Sequence, residues 1–362
     1  MVHFSPFLLL LSSAPARAED PALKLGLSFQ PRLSTTIDGD PESSDQVRIS
    51  DAGFRIRRML VLANGTVARR FDYRLRLNAA SATLDDAQVS VRFHDSLQLS
   101  VGQFKVPFTV SQAMSDTSLL LPDRPIVLDG FRYGELRVDG YSWSRDIGAT
   151  LSGSAAEGRF VYGVGVFNGE GSNVWPTVDE APLLSGRIQV APLGAMKLDE
   201  VDLGRAEPRL AMGLSGSGLA PTSYDEAGEA LGSVQELRAG ADVRLFARGL
   251  SVQAEGLLGI VDGLGFEEAQ RSMGAYAQLG YCFPVGLAPG LRGSWLDPSS
   301  TAVDDSVTQV EGVLNWYLPD PADEGGNLGH KAQIQLHWAT SLKQGLDHPL
   351  SHQLQVATAL SI

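Results

Sequence analysis

The chain has 362 residues, and 43% of them are hydrophobic. Its formal net charge of −13 at pH 7 excludes nucleic acid as the expected partner, because the phosphates would be repelled. The single cysteine, Cys282, excludes an intramolecular disulfide and a zinc site built from cysteines. Only five of the 29 basic residues are lysines, which leaves 24 arginines, and a planar guanidinium suits oxyanion recognition better than an ammonium group does.

Residues 1–18 are predicted to be a secretory signal peptide. Phe7–Leu11 forms a short apolar core, and Ala16-Arg17-Ala18 fits an A-x-A cleavage site. No lysine or arginine precedes the apolar core, so a disordered tail is the alternative interpretation. Residues 19–362 are expected to form one domain. No apolar run in the chain reaches the roughly 18 residues of a transmembrane helix.

From Leu23 onward, segments of about ten residues alternate apolar with polar or small side chains. Phe71–Leu77 and Ile334–Trp338 are clear examples, and the polar partner is repeatedly Arg, Gln, Glu or Asp. This alternation fits strands with one face against lipid and the other against water, and such segments are longer than those of a soluble sandwich. The sequence therefore predicts an all-β fold, a transmembrane antiparallel β-barrel of about 16 strands.

Short and long connections alternate along most of the chain. The short ones carry hairpin chemistry, as at Asn64-Gly65, Asp95-Ser96, Arg248-Gly249 and Pro284-Val285. Two long stretches, from Pro192 to Glu207 and from Asp320 to Gly329, break the alternation. The asymmetry is typical of a barrel in the Gram-negative outer membrane, with lipid and lipopolysaccharide around it.

One connection, residues 105–140, differs from the others because it is partly apolar. It follows the strand Leu97–Phe104 and contains Leu119, Leu120 and Leu121, while Pro122 and Pro125 exclude it from the middle of a sheet. Long ordered loops are usually functional, so we expect this loop to fold into the barrel lumen and narrow it. The alternative is that it packs over a subunit interface.

The same alternation places arginines on the inner wall of neighbouring strands. The predicted pore-lining residues on the strands are Arg55, Arg57, Arg74, Arg76 and Arg92. Lys105 and Arg124 are the predicted cations of the loop. In a confined pore such a stripe would concentrate anions and offer successive weak sites. The alternative is pairing of these cations with acidic residues, for which Asp116, Asp123, Asp129 and Asp242 are available.

An ordered set of segments resembles a known family. The segments are FRIRRMLVLANGTVARRFDYRLRLN (54–78), DDAQVSVRF (85–93), VGQFKVPF (101–108), SRDIGATLSG (144–153), FVYGVGVFNGEG (160–171) and SGRIQV (185–190). Together they resemble the phosphate-selective porin O and P family of Gram-negative outer membranes. The resemblance implies a sixteen-stranded barrel that is usually a homotrimer and passes anions, with basic pore residues guiding phosphate or polyphosphate.

No motif of an enzyme is present, since the chain has neither an HExxH nor a G-x-S-x-G sequence. We therefore expect no enzymatic activity, no cofactor and no metal. The predicted function is an outer-membrane porin for passive diffusion of small inorganic anions. Two alternatives stay open: a general-diffusion or cation-leaning porin, and a plugged barrel that acts as a scaffold or adhesin.

Overall fold

The computed structural model describes residues 23–40, 43–128, 144–174, 182–220, 222–224, 230–263, 267–319, 328–345 and 350–361. The predicted signal peptide, residues 129–140 of the predicted lumen loop and the acidic residue Asp129 lie outside these ranges. Within the described ranges, every helix is too short or too polar to cross a membrane.

Sixteen long strands and one strand of three residues make up the sheet. Their bounds are β1 (Lys24–Asp40), β2 (Ser43–Val67), β3 (Phe71–Asn78), β4 (Thr83–His94), β5 (Leu97–Lys105), β6 (Arg145–Ala155), β7 (Phe160–Phe167), β8 (Leu183–Val190), β9 (Arg209–Leu219), β10 (Thr222–Tyr224), β11 (Ala230–Ala247), β12 (Leu250–Gly263), β13 (Gln270–Tyr281), β14 (Leu287–Asp297), β15 (Val307–Pro319), β16 (Leu328–Lys343) and β17 (Leu350–Ser361). A single turn of helix, α1 (Val110–Ala113), follows β5.

Every long strand pairs antiparallel with its neighbours, and β17 pairs with β1 to close the sheet. The short strand β10 pairs with β11 beyond the point where β9 ends, at Thr222 opposite Ser233. Closure gives every long strand a paired neighbour on both sides, which is the condition for a β-structure to cross a lipid bilayer. The predicted closed antiparallel barrel of sixteen strands is confirmed.

Burial along the strands is inverted relative to a soluble protein. In β16 the exposed side chains are Ile334, Leu336 and Trp338, whereas Gln335 and His337 are buried between them. Apolar side chains turned outward and polar side chains turned inward are favourable only when lipid surrounds the barrel. This period-two inversion is why the alternating segments of the sequence form these strands.

The short turns gather at one end of the barrel, which we call the short-turn end. Asp95-Ser96 and Arg248-Gly249 are turns as predicted, and Arg248 and Gly249 both have positive φ, as a tight hairpin turn requires. The prediction of a turn at Asn64-Gly65 is wrong. β2 continues to Val67 and the chain reverses at residues 68–70, because Asn64 is paired mid-strand with Arg74.

Candidate functional site

Around a β-bulge in β2, the three basic residues Arg55, Arg57 and Arg58 lie toward the polar face of the barrel. Opposite β1, Arg55 pairs with Arg32 and Arg58 pairs with Gln30, so Arg57 is the extra residue of the bulge. Arg32 and Gln30 belong to the buried polar face of β1. Strict alternation would have sent Arg58 to the lipid, and the bulge instead keeps Arg55 and Arg58 on one face.

The strands β3 and β4 extend this row of arginines toward the short-turn end. We call the whole row the arginine surface, and its members are Arg55, Arg57, Arg58, Arg74, Arg76 and Arg92. Arg76 is buried opposite Asp86, and Arg74 lies opposite Gln88 on the same face. On β4, Arg92 donates a hydrogen bond to the Asp72 carboxylate at 2.7 Å. Arg74 has no hydrogen-bond or ion-pair partner among the residues that the structure describes.

The segment 106–128, which we call the inward segment, is mostly buried. Thr109 caps α1 by accepting a hydrogen bond from the Gln112 amide. Val110, Met114, Leu120 and Leu121 have no exposed surface. A connection this apolar is stable here because its side chains contact strands that are far away in sequence.

Asp116 joins the inward segment to the arginine surface. Its carboxylate accepts from Arg76 Nη2 at 2.6 Å and from Arg124 Nη2 at 2.8 Å, and Arg58 Nη2 lies 3.5 Å away. These guanidinium groups, with Arg58 and Arg124 foremost, hold the pKa of Asp116 well below its ordinary value against the opposing effect of burial. Asp116 is therefore ionised and central to a charged network.

Asp123 makes the second such connection, to β1 and β2. Its carboxylate accepts from Arg32 Nη1 at 2.7 Å and forms an ion pair with Arg57. The positive charges of Arg57 and Arg32 lower the pKa of Asp123 below its ordinary value even though burial acts to raise it. The Asp123 carbonyl oxygen also accepts from Arg292 Nη2 at 3.0 Å, on the far strand β14.

The two predicted loop cations bind backbone of the inward segment. Lys105 Nζ donates to the Met114 carbonyl at 2.5 Å, and Arg124 Nη1 donates to the Ser111 carbonyl at 2.5 Å. Arg145, at the start of β6, donates to the Asp86 carboxylate at 2.8 Å. These bonds order the inward segment and leave the positive charges beside the arginine surface.

The opposite side of the barrel also holds the inward segment. Glu255 on β12 accepts from the Val110 amide at 2.8 Å, and Asn315 on β15 donates to the Leu120 carbonyl at 2.8 Å. Gly280 and Gly290 make room for Leu120, since a Cβ at either position would lie 3.0 Å or less from its side chain. The inward segment thus contacts polar side chains from strands on two sides of the barrel.

Eight basic side chains and four carboxylates make up what we call the basic cluster. The basic members are Arg32, Arg55, Arg57, Arg58, Arg76, Lys105, Arg124 and Arg145, and the acidic members are Asp85, Asp86, Asp116 and Asp123. With the carboxylates ionised, the seven arginines alone exceed them by three positive charges. At the short-turn end, a cavity of about 860 Å³ is lined by Arg92, His94 and Gln98.

The sequence left two interpretations of the arginines open, a stripe that attracts anions and pairing with acidic residues. The geometry supports both. Arg57, Arg76 and Arg124 pair with carboxylates of the inward segment, whereas Arg55 donates to the Ser34 hydroxyl at 3.0 Å. Asp242 pairs instead with Arg187, at 2.6 Å. Anion binding by the seven predicted residues stays a prediction.

Sequence reasoning missed three of the eight basic members of the basic cluster, Arg32, Arg58 and Arg145. Arg32 follows the alternation of β1 and could have been found from it. The direction of Arg58 depends on the bulge, and Arg145 is the first residue of its strand, so alternation does not assign either of them. Across the part of the chain that the structure describes, no three His, Cys, Asp or Glu side chains group as metal ligands do.

A closed antiparallel sheet with an apolar outer face and a charged inner face defines a transmembrane β-barrel of the porin class. Residues 35–286 match the model of the family described as phosphate-selective porin O and P, and the chain belongs to this family. It is a channel-forming protein of the Gram-negative outer membrane.

Solved porin structures share the fold at low sequence identity. The anion-selective porin from Comamonas acidovorans superposes with a TM-score of 0.62 at 11% identity, covering 95% of this chain and 100% of that one. The trimer form of OmpT from Vibrio cholerae gives 0.58 at 11% identity, covering 94% and 99%. Salmonella typhi OmpF, in complex with daunomycin, gives 0.56 at 12%, covering 94% and 97%. A search of curated proteins found no match.

Proposed function

We propose that this porin conducts small inorganic anions by passive diffusion along the arginine surface, with phosphate or polyphosphate as the preferred solute class. The observation that carries the proposal is the excess of arginines over carboxylates in the basic cluster, seven against four, continued by Arg74 and Arg92 toward the short-turn end. A positive wall raises the local concentration of anions, and partial pairing keeps each site weak enough for release. The family and the anion-selective Comamonas relative support the same solute class.

We further propose that the inward segment lies in the lumen and narrows it. Its contacts with β1 to β3 on one side and with β12, β14 and β15 on the other support this placement. A pore narrowed beside an arginine wall brings each passing ion within a few ångströms of positive charge. At that distance salt screening is weak, because the Debye length is about 8 Å at physiological ionic strength.

We propose that the protein assembles as a homotrimer in lipid and lipopolysaccharide. We also propose that residues 1–18 of each chain are removed on export. The trimeric OmpT relative and the exposed apolar wall support this arrangement. Cross-linking of the purified protein and mass spectrometry of its N-terminus test the two parts separately. A monomer in mild detergent would contradict the trimer.

Reversal potentials in planar bilayers under a salt gradient test the solute class. The double variant Arg55→Gln/Arg74→Gln removes two cations that pair with no carboxylate among the described residues, so the fold should survive. We expect the anion preference to fall, while Arg248→Gln, an exposed position paired with Glu207, should leave it unchanged. An unchanged reversal potential in the double variant would contradict the proposal, and cation preference in the unmodified protein would favour the cation-leaning alternative.

The quadruple variant Arg55→Gln/Arg57→Gln/Arg74→Gln/Arg76→Gln removes ion-paired positions as well. We expect a larger loss of anion preference, together with higher conductance noise, because Asp116 and Asp123 of the inward segment lose their ion pairs with Arg76 and Arg57. The absence of any conductance from folded, unmodified protein would favour the plugged-barrel alternative.

A further inference from the structure

The connection between β8 and β9, residues 191–208, is long although it lies at the short-turn end. Several other connections at that end are only two to four residues in length, such as residues 248–249 and 156–159. Three consecutive residues of this connection, Glu200, Val201 and Asp202, are 2–3% exposed. A surface turn would not be buried to this degree.

The connection is held at its base by neighbouring turns. Asp202 accepts hydrogen bonds from the Ala206 amide at 2.9 Å and from the Gly249 amide at 2.8 Å. Arg205 donates to the Cys282 carbonyl and, at 3.2 Å, to the Tyr281 hydroxyl. Two hairpin turns therefore fix the direction in which the connection leaves the barrel wall.

From this base the connection meets the inward segment, which begins at the opposite end of the barrel. The Glu200 carboxylate accepts a hydrogen bond from the Leu120 amide at 2.8 Å, and the Glu200 amide donates to the Ser118 carbonyl at 3.0 Å. Val201 packs in one apolar cluster with Leu120, Leu121 and Cys282. A hydrogen bond between backbone atoms, from Glu200 to Ser118, thus joins the connection to the inward segment.

We propose that residues 191–208 are a second inward segment, and that Glu200 is the positioning residue that holds the first one in place. Joined end to end, the two segments close the side of the barrel formed by β13 to β16. Conduction is then confined to the side that carries the arginine surface and the cavity at Arg92 and His94. This inference rests on the proposed position of residues 106–128 in the lumen. It adds which side of the barrel the ions pass along, which anion selectivity alone does not specify.

The variant Glu200→Ala tests the proposal, with Glu207→Ala as the matched control. Glu207 lies on the same connection, but its side chain is 70% exposed and pairs with an exposed arginine. We expect Glu200→Ala to raise single-channel conductance at least twofold and to admit larger uncharged sugars in liposome swelling. Glu207→Ala should leave both measurements unchanged.

Cys282 supplies a second measurement, because it is the only cysteine and is fully buried in the cluster that contains Leu120 and Val201. We expect a thiol reagent to label Cys282 at least tenfold faster in Glu200→Ala than in the unmodified protein or in Glu207→Ala. Heat-modifiable gel mobility identifies folded barrels in each sample. If Glu200→Ala fails to fold, Val201→Ala weakens the same junction and should give the same changes.

Folded Glu200→Ala with unmodified conductance, sugar exclusion and Cys282 labelling would overturn the proposal. The reversal potential of the unmodified protein is measured in the same bilayers and tests the anion-channel proposal independently. A barrel without anion preference in which Glu200→Ala still widens the pore would refute the proposed solute class and support the second inward segment.

Discussion

Arg76 Nη2 donates a hydrogen bond to the Asp116 carboxylate at 2.6 Å, joining β3 to the inward segment across 40 residues of sequence. Both side chains are 8% exposed. The same carboxylate also binds Arg124, so one acidic residue balances several guanidinium groups. The position of the inward segment and the charge on the arginine surface are consequently coupled through Asp116.

Asp116→Asn should destabilise the barrel by about 3 kcal/mol, because removing one partner of a buried ion pair leaves the other charges uncompensated. Unfolding by urea in lipid vesicles, followed by tryptophan fluorescence, measures this free energy. The matched control is Asp72→Asn, whose partner Arg92 is half exposed, and there we expect a loss below about 1 kcal/mol. Equal losses in the two variants would contradict the central role of Asp116.

The stabilising effect of Asp116 and Asp123 should persist in mild acid. Neighbouring arginines lower the pKa of both carboxyls in the folded state, so their contribution is present above the ordinary carboxyl pKa of about 4. It is lost only as the pH falls through the lower folded pKa. We expect the difference in unfolding free energy between the unmodified protein and Asp116→Asn to be at least as large at pH 5 as at pH 8. A difference that shrinks between pH 7 and pH 5 would contradict this.

Gly290→Val should displace Leu120 and destabilise the protein by about 1–3 kcal/mol, the usual cost of overpacking. A Cβ at Gly290 would lie 2.8 Å from the nearest methyl carbon of Leu120, which has no exposed surface. Gly293 is the control on the same strand, since nothing lies within 4 Å of its added Cβ. Gly293→Val should change the urea midpoint little, and a similar shift in both variants would show that the space around Leu120 is not the cause.

Asp72→Asn should raise the anion-to-cation permeability ratio by about twofold at low salt. Asp72 neutralises Arg92 beside the cavity at the short-turn end, and one unit charge acting across about 7 Å of water is worth roughly 0.6 kcal/mol. Reversal potentials at 0.1 M and 1 M potassium chloride measure the effect. It should nearly vanish at 1 M, where the Debye length falls to about 3 Å.

Much of the fold could be predicted because the alternation of side chains along a strand is a local property. Period two placed Arg55, Arg74 and Arg76 on one face, and the tight turn at Arg248-Gly249 followed from the residue types. Local reasoning failed at the β2 bulge, which changes the face of Arg58. It failed again at Asn64-Gly65, where pairing with β3 continues the strand through a turn-forming dipeptide.

The sequence by itself determined the barrel, its inverted burial, its family and a supply of arginines on the inner wall. Each of these depends on residue type at short, regular spacing. Only the tertiary structure decided which arginines are neutralised and which stay available. Asp123 reaches Arg32 across 91 residues, and Asn315 reaches the Leu120 carbonyl across 195. Such pairs form only when closure of the barrel brings distant strands and connections together, so no local pattern records them.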